Sequence, residues 1–145
     1  MAFLDEGTPR YETYKQGTAN SASERWLLVK GSKAIGAKYP TADLTTAASD
    51  NFDGVLDNAE AGNVTDPFDT SFTGGICRVK TGEKLRVRTA TAYAASNYNQ
   101  RIVPDATNNG YGSASASNGK GRIVGGETIG TKHYLDFWLD ESDQS

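Results

Sequence analysis

Large apolar residues arrive along this chain in short runs broken by turn formers, with no long uninterrupted run of helix formers. Residues 25–30 hold the first such run, Trp26, Leu27, Leu28 and Val29, too short for a helix and closed by Gly31, so they predict a strand. A second short strand is expected over 34–39, ended by Pro40. Residues 41–50 suit one helical turn or a loop, and an apolar pattern resumes at 52–56. The stretch 58–72, with Gly62, Asp66, Pro67 and Asp69, reads as a long loop that makes contacts.

The clearest alternation lies in residues 74–92, where two runs flank a turn at Thr81 and Gly82. Cys77 and Val79 fall on one face and Arg78 and Lys80 on the other. Beyond the turn, Leu85, Val87 and Thr89 oppose Lys84, Arg86 and Arg88. The pattern predicts a half-buried antiparallel pair, or two neighbouring strands, with one basic face. Residues 93–119 are polar and dotted with Tyr93, Tyr98 and Tyr111, and only 101–103 reads as a strand there. Two closing strands are expected at 121–124 and 132–140, separated by a turn region at Gly125, Gly126 and Gly130. In the last, His133, Leu135, Phe137 and Leu139 face one way, and Tyr134, Asp136, Trp138 and Asp140 the other.

At 145 residues the chain suits one core. The expected fold is mainly β: a single compact antiparallel β-barrel or β-sandwich domain over 25–140. An extended N-terminal arm, 1–24, would precede it and an acidic C-terminal tail, 141–145, follow it. The arm is polar and turn-prone and offers no core, but Phe3, Leu4, Tyr11 and Tyr14 could anchor it on a partner. The start of the chain lacks a basic stretch followed by an apolar one, so no signal peptide is expected, and no run of apolar residues is long enough for a transmembrane helix.

Composition narrows the chemistry. A formal net charge of -3 argues against binding nucleic acid through the whole surface, which needs a basic excess. Cys77 is the only cysteine, so neither an intrachain disulfide nor a zinc cluster can be built. The only histidine, His133, lies on the apolar side of a strand pattern and reads as structural. Asp50, Asp53 and Asp57 lack the spacing of a calcium loop and suit a turn. Gly125, Gly126 and Gly130 lack the order of a dinucleotide motif. No catalytic, cofactor-binding or metal-binding residues are therefore assigned, and the chain is not expected to be an enzyme. What remains is the basic set Arg78, Lys80, Lys84, Arg86 and Arg88, which suits solvation, an acidic protein partner or, least well, nucleic acid, because aromatic residues are not interleaved with it. Asp136 and Asp140 would pair with these bases if the strands are neighbours.

Three phrases stand in order here: FDGVLDNAEAGN at 52–63, GGICRVKTGEKLRV at 74–87, and GRIVGGETIG at 121–130 before the closing LDFWLD. In this order the chain resembles the small capsid decoration, or cement, proteins of tailed bacteriophages and related archaeal viruses. The stretches 58–72 and 93–119 are longer than the compact pattern of that family. The resemblance implies a protein without an active site or cofactor, made in the host cytoplasm and carried on the capsid surface of the virion. Its partners would be the major capsid protein, whose subunits it bridges, and itself, often as a trimer, with no membrane. The alternative is another virion component, a tail-tube, turret or receptor-binding protein, with the Tyr-rich and Asn-rich stretch 93–111 contacting a glycan.

Overall fold

The computed structural model describes residues 11–17, 25–33, 35–66 and 69–139. Among the described residues ten strands follow one another: β1 (Tyr11–Gln16), β2 (Leu28–Ser32), β3 (Thr41–Leu44), β4 (Gly54–Asp66), β5 (Asp69–Lys80), β6 (Glu83–Thr89), β7 (Arg101–Pro104), β8 (Gly112–Ser115), β9 (Arg122–Ile129) and β10 (Lys132–Leu139). A single 3₁₀ turn, Ala95–Asn97, is the only helical element among the described residues. The protein is mainly β, as its short apolar runs and abundant turn formers dictate.

Five strands close into a barrel in the order β1-β3-β2-β4-β5, and the other five form a second sheet in the order β7-β8-β6-β10-β9. Most pairs are antiparallel, but β1 with β3 and β6 with β8 run parallel. The second sheet curls so that its outer strands meet again: Ile102 and Lys120 exchange backbone hydrogen bonds, and the Ile123 amide donates to the Gln100 carbonyl.

Each unit has its own core. Tyr14, Leu27, Val29, Ala42, Leu56, Cys77 and Val79 fill the barrel. Leu85, Val87, Ile102, Ile123, Leu135, Phe137 and Leu139 cover the inner face of the sheet, joined there by Leu28, Phe52 and Val55 from the barrel side. The Phe52 and Phe137 rings meet edge to face, 6.3 Å apart. Adjacent residues such as Leu28 and Val29 therefore serve different cores, which is why residues 26–29 are apolar without a gap.

Several expectations are corrected. Residues 11–16, placed in an arm without a core, form β1, and Tyr14 is a buried member of the barrel core. The expected strand over 34–39 is replaced by a turn at Ile35 and Gly36, where Gly36 has a φ of 86° and Ile35 is fully exposed. Residues 41–44 are a strand rather than a helical turn. The long loop expected over 58–72 is a hairpin, with Val64 opposite Gly74 and Thr65 opposite Thr73. β5 and β6 do not pair with each other: β5 belongs to the barrel and β6 to the sheet. The strand expected over 121–124 continues through Gly125 and Gly126, and the reversal falls at Gly130 and Thr131.

Candidate partner-binding site

Because β5 and β6 part into different units just after Lys80, their polar faces diverge and leave a cleft between barrel and sheet. Its volume is about 320 Å³, and Tyr11, Arg25, Trp26, Val55, Asp57, Lys80, Lys84, Leu85, Arg86 and Asp136 line it. Strand alternation places three of these: Lys80 follows buried Val79, and Lys84 and Arg86 flank buried Leu85.

Trp26 lies at the junction. Its amide donates to the Leu56 carbonyl of the barrel at 2.6 Å, and its own carbonyl accepts from the Arg88 amide of the sheet at 2.8 Å. Satisfying both units holds its backbone at a φ of 68°, a region bulky L-residues avoid at a cost of roughly 1–3 kcal/mol. Side-chain contacts offset this: Tyr134 meets the indole edge to face at 5.2 Å, and the Arg25 and Arg86 guanidiniums lie 5.0 and 5.6 Å from its centroid.

The charges sort into paired and surplus groups. Arg25 bonds the Asp57 carboxylate at 2.8 Å. Arg86 makes a fork to Asp136 at 2.7 and 3.0 Å and reaches Glu127 at 2.9 Å. The Asp136 hydrogen bond holds this guanidinium above its already high range. Lys80 and Lys84 make no ion pair among the described residues, so the cleft carries excess positive charge.

The nine residues expected to bind a partner divide accordingly. Lys80, Lys84 and Arg86 share the cleft, with Tyr11 at its wall. Arg78 lies 5.5 Å from the Tyr11 ring, and Arg88 lies 4.9 Å from the Tyr111 ring. Tyr14 is 4% exposed, and its hydroxyl donates to Asp53 at 3.1 Å, so it cannot serve as a docking anchor. Burial, with Asp53 beside it, pushes that hydroxyl well above the ordinary tyrosine range. Phe3, Leu4 and Asp140 lie outside the described residues. The pairing expected of Asp136 is present, because Asp136 stands opposite Arg86 in the β6–β10 register. The sequence reading missed Arg25, Trp26 and Asp57 as cleft residues; an Arg-Trp step at the head of an apolar run was the available signal.

Other candidate groups are tied into structure. Asp50 accepts from the Thr46 and Ala47 amides and from Lys30, while Asp53 accepts from Gly31 and Tyr14. His133 shares a 2.9 Å hydrogen bond with Thr128. Burial pushes the Cys77 thiol up to about 11, away from the range where a thiolate would react. Lys120 lines a second cleft, where its ammonium donates to the Phe52 carbonyl at 2.9 Å and burial lowers its pKa. Of Tyr93, Tyr98 and Tyr111, only Tyr98 is exposed; Tyr93 and Tyr111 pack against the two cores, so the three do not form one platform.

The hairpin of β4 and β5 is the other prominent feature. β1 pairs with β5 only as far as Ile76, and β2 pairs with β4 only at Val55 and Gly54. From there to Asp66 and Asp69 the two strands pair only with each other among the described residues. Along this stretch the register shifts three times, between Leu56 and Asn58, Glu60 and Val64, and Thr65 and Asp66, so the pairing is bulged rather than regular. No protein-family model, curated protein or solved structure matches this chain.

Proposed function

We propose that this chain is a structural virion protein that binds the outer surface of an assembled tailed-virus capsid and stabilises it by bridging major capsid subunits. The observation that supports this best is the β4–β5 ribbon. A two-stranded ribbon is at best marginally stable in water, so one whose strands pair only with each other among the described residues is suited to packing against another protein. The three glycine-marked phrases that resemble capsid decoration proteins point to the shell as that surface. Binding only to the assembled lattice would shift the equilibrium away from free subunits, and repeated weak sites would suffice.

The test uses capsids prepared without this chain. Added protein should co-sediment with them and raise the temperature at which they release their contents. A variant in which residues 60–74 are replaced by a tight turn should keep its β-type circular dichroism and lose co-sedimentation. Failure of the intact protein to bind expanded capsids would remove the proposal.

A further inference from the structure

The cleft between barrel and sheet holds polar groups of both signs that its own ion pairs do not use up. Its barrel wall is one row of side chains, because Tyr11, Lys80 and Val55 stand opposite one another across β1, β5 and β4. Its sheet wall carries Lys84 and Arg86 on either side of buried Leu85. Lys80 and Lys84 make no ion pair among the described residues, so two ammonium groups keep their donors for a ligand. Asp57 is satisfied by half: its Oδ1 accepts from Arg25 at 2.8 Å, and no described residue donates to its Oδ2.

These groups ask for different things. The ammoniums call for an anion, whereas the second oxygen of Asp57 calls for a hydroxyl donor and repels a bare anion. A simple anion meets only the first demand and a neutral sugar only the second. A compact frame that carries hydroxyls and one anionic group meets both. Tyr11, 44% exposed, presents ring surface to the C–H face of such a frame, and the volume of about 320 Å³ suits a small ligand. We infer that this cleft binds an acidic sugar, whose anionic group accepts from Lys80 and Lys84 while a ring hydroxyl donates to Asp57 Oδ2. Trp26, bonded through its backbone to both units, and the Arg86 fork to Asp136 hold the walls in place before the ligand arrives. The site draws on no residue of 58–76, so it stands apart from the capsid reading.

Nuclear magnetic resonance titration of the full chain tests this with five probes: glucuronate, glucose bearing a phosphate ester, glucose, acetate and inorganic phosphate. The two acidic sugars should move the backbone amides of Trp26, Asp57, Lys80 and Lys84 saturably, and the tighter of them identifies the anionic group. Glucose, acetate and phosphate should each bind at least roughly tenfold more weakly, since each meets only half of the site. Lys80→Gln with Lys84→Gln should weaken the acidic sugars roughly tenfold or more and leave glucose unchanged. Asp57→Asn should lower the preference for glucuronate over acetate by roughly tenfold, because it removes the acceptor of the hydroxyl together with the repulsion felt by a bare anion. Should a variant fail to fold, the five probes on the unmodified protein still decide. The inference is overturned by acidic sugars that give no saturable shift or shift only residues elsewhere, by acetate or phosphate binding as tightly as glucuronate, or by an Asp57→Asn protein whose preference is unchanged.

Discussion

Asp50 shows how much one side chain organises here. Its Oδ2 accepts from the Thr46 amide at 2.8 Å, the Ala47 amide at 3.0 Å and the Lys30 ammonium at 3.1 Å, which pins the turn after β3. Those two amides, assisted by Lys30, hold the carboxyl down at about 2, against an ordinary 3.8. A depressed carboxylate contributes stability that is fully present above its unfolded value and disappears as pH falls through the folded one. Asp50→Ala should therefore cost on the order of 1 kcal/mol near neutrality, because solvent screens this exposed site. In urea titrations the gap from the unmodified protein should shrink as pH drops from 3.8 towards 2; a gap that stays constant would contradict the assignment. Residue by residue, burial was legible wherever a strand hides one face: Cys77, Val79, Leu85, Val87, Leu135, Phe137 and Leu139 are all buried. Tyr14 was not legible, because a tyrosine in a polar stretch looks the same whether its hydroxyl meets Asp53 or water.

Strands were legible where they bury apolar side chains and illegible where backbone pairing sustains them. The run at 26–29 and the alternation at 85–89 and 135–139 announced themselves through their cores. The ribbon of β4 and β5 rests on pairing between its own two strands, so its Gly, Asn and Thr content looked like a loop. Pairing itself was hidden: the two residues between β5 and β6 suggested a hairpin, yet the strands turn to different partners. β1 matters most at this scale, since it closes the barrel against β3 and β5. Removing residues 1–10 keeps every described strand, whereas removing 1–17 deletes β1, opens two strand edges and loses Tyr14. The longer truncation should unfold at a markedly lower temperature or aggregate, and the shorter should not; equal melting temperatures would show that β1 is dispensable.

The two units of the molecule are interlocked through their cores. Leu28, Phe52 and Val55 come from the barrel side but pack into the core of the sheet, while Trp26 bonds both through its backbone. Unfolding one unit would strip the other of apolar contacts, so calorimetry should show a single transition whose van't Hoff and calorimetric enthalpies agree. Two resolved transitions would mean that the units stand independently. The basic face read from alternation exists only in part at this scale: the divergence of β5 from β6 gathers Lys80, Lys84 and Arg86 in one cleft and leaves Arg78 and Arg88 against separate tyrosines.

The closure of the barrel by β1 also sets an order of events during synthesis. Residues 11–16 leave the ribosome before either of their neighbours, and their pairing with β5 must wait until residue 80 has emerged. The seam between β1 and β5 thus cannot close until the last of the five strands is made, and until then the nascent chain carries an open edge that a chaperone could shield.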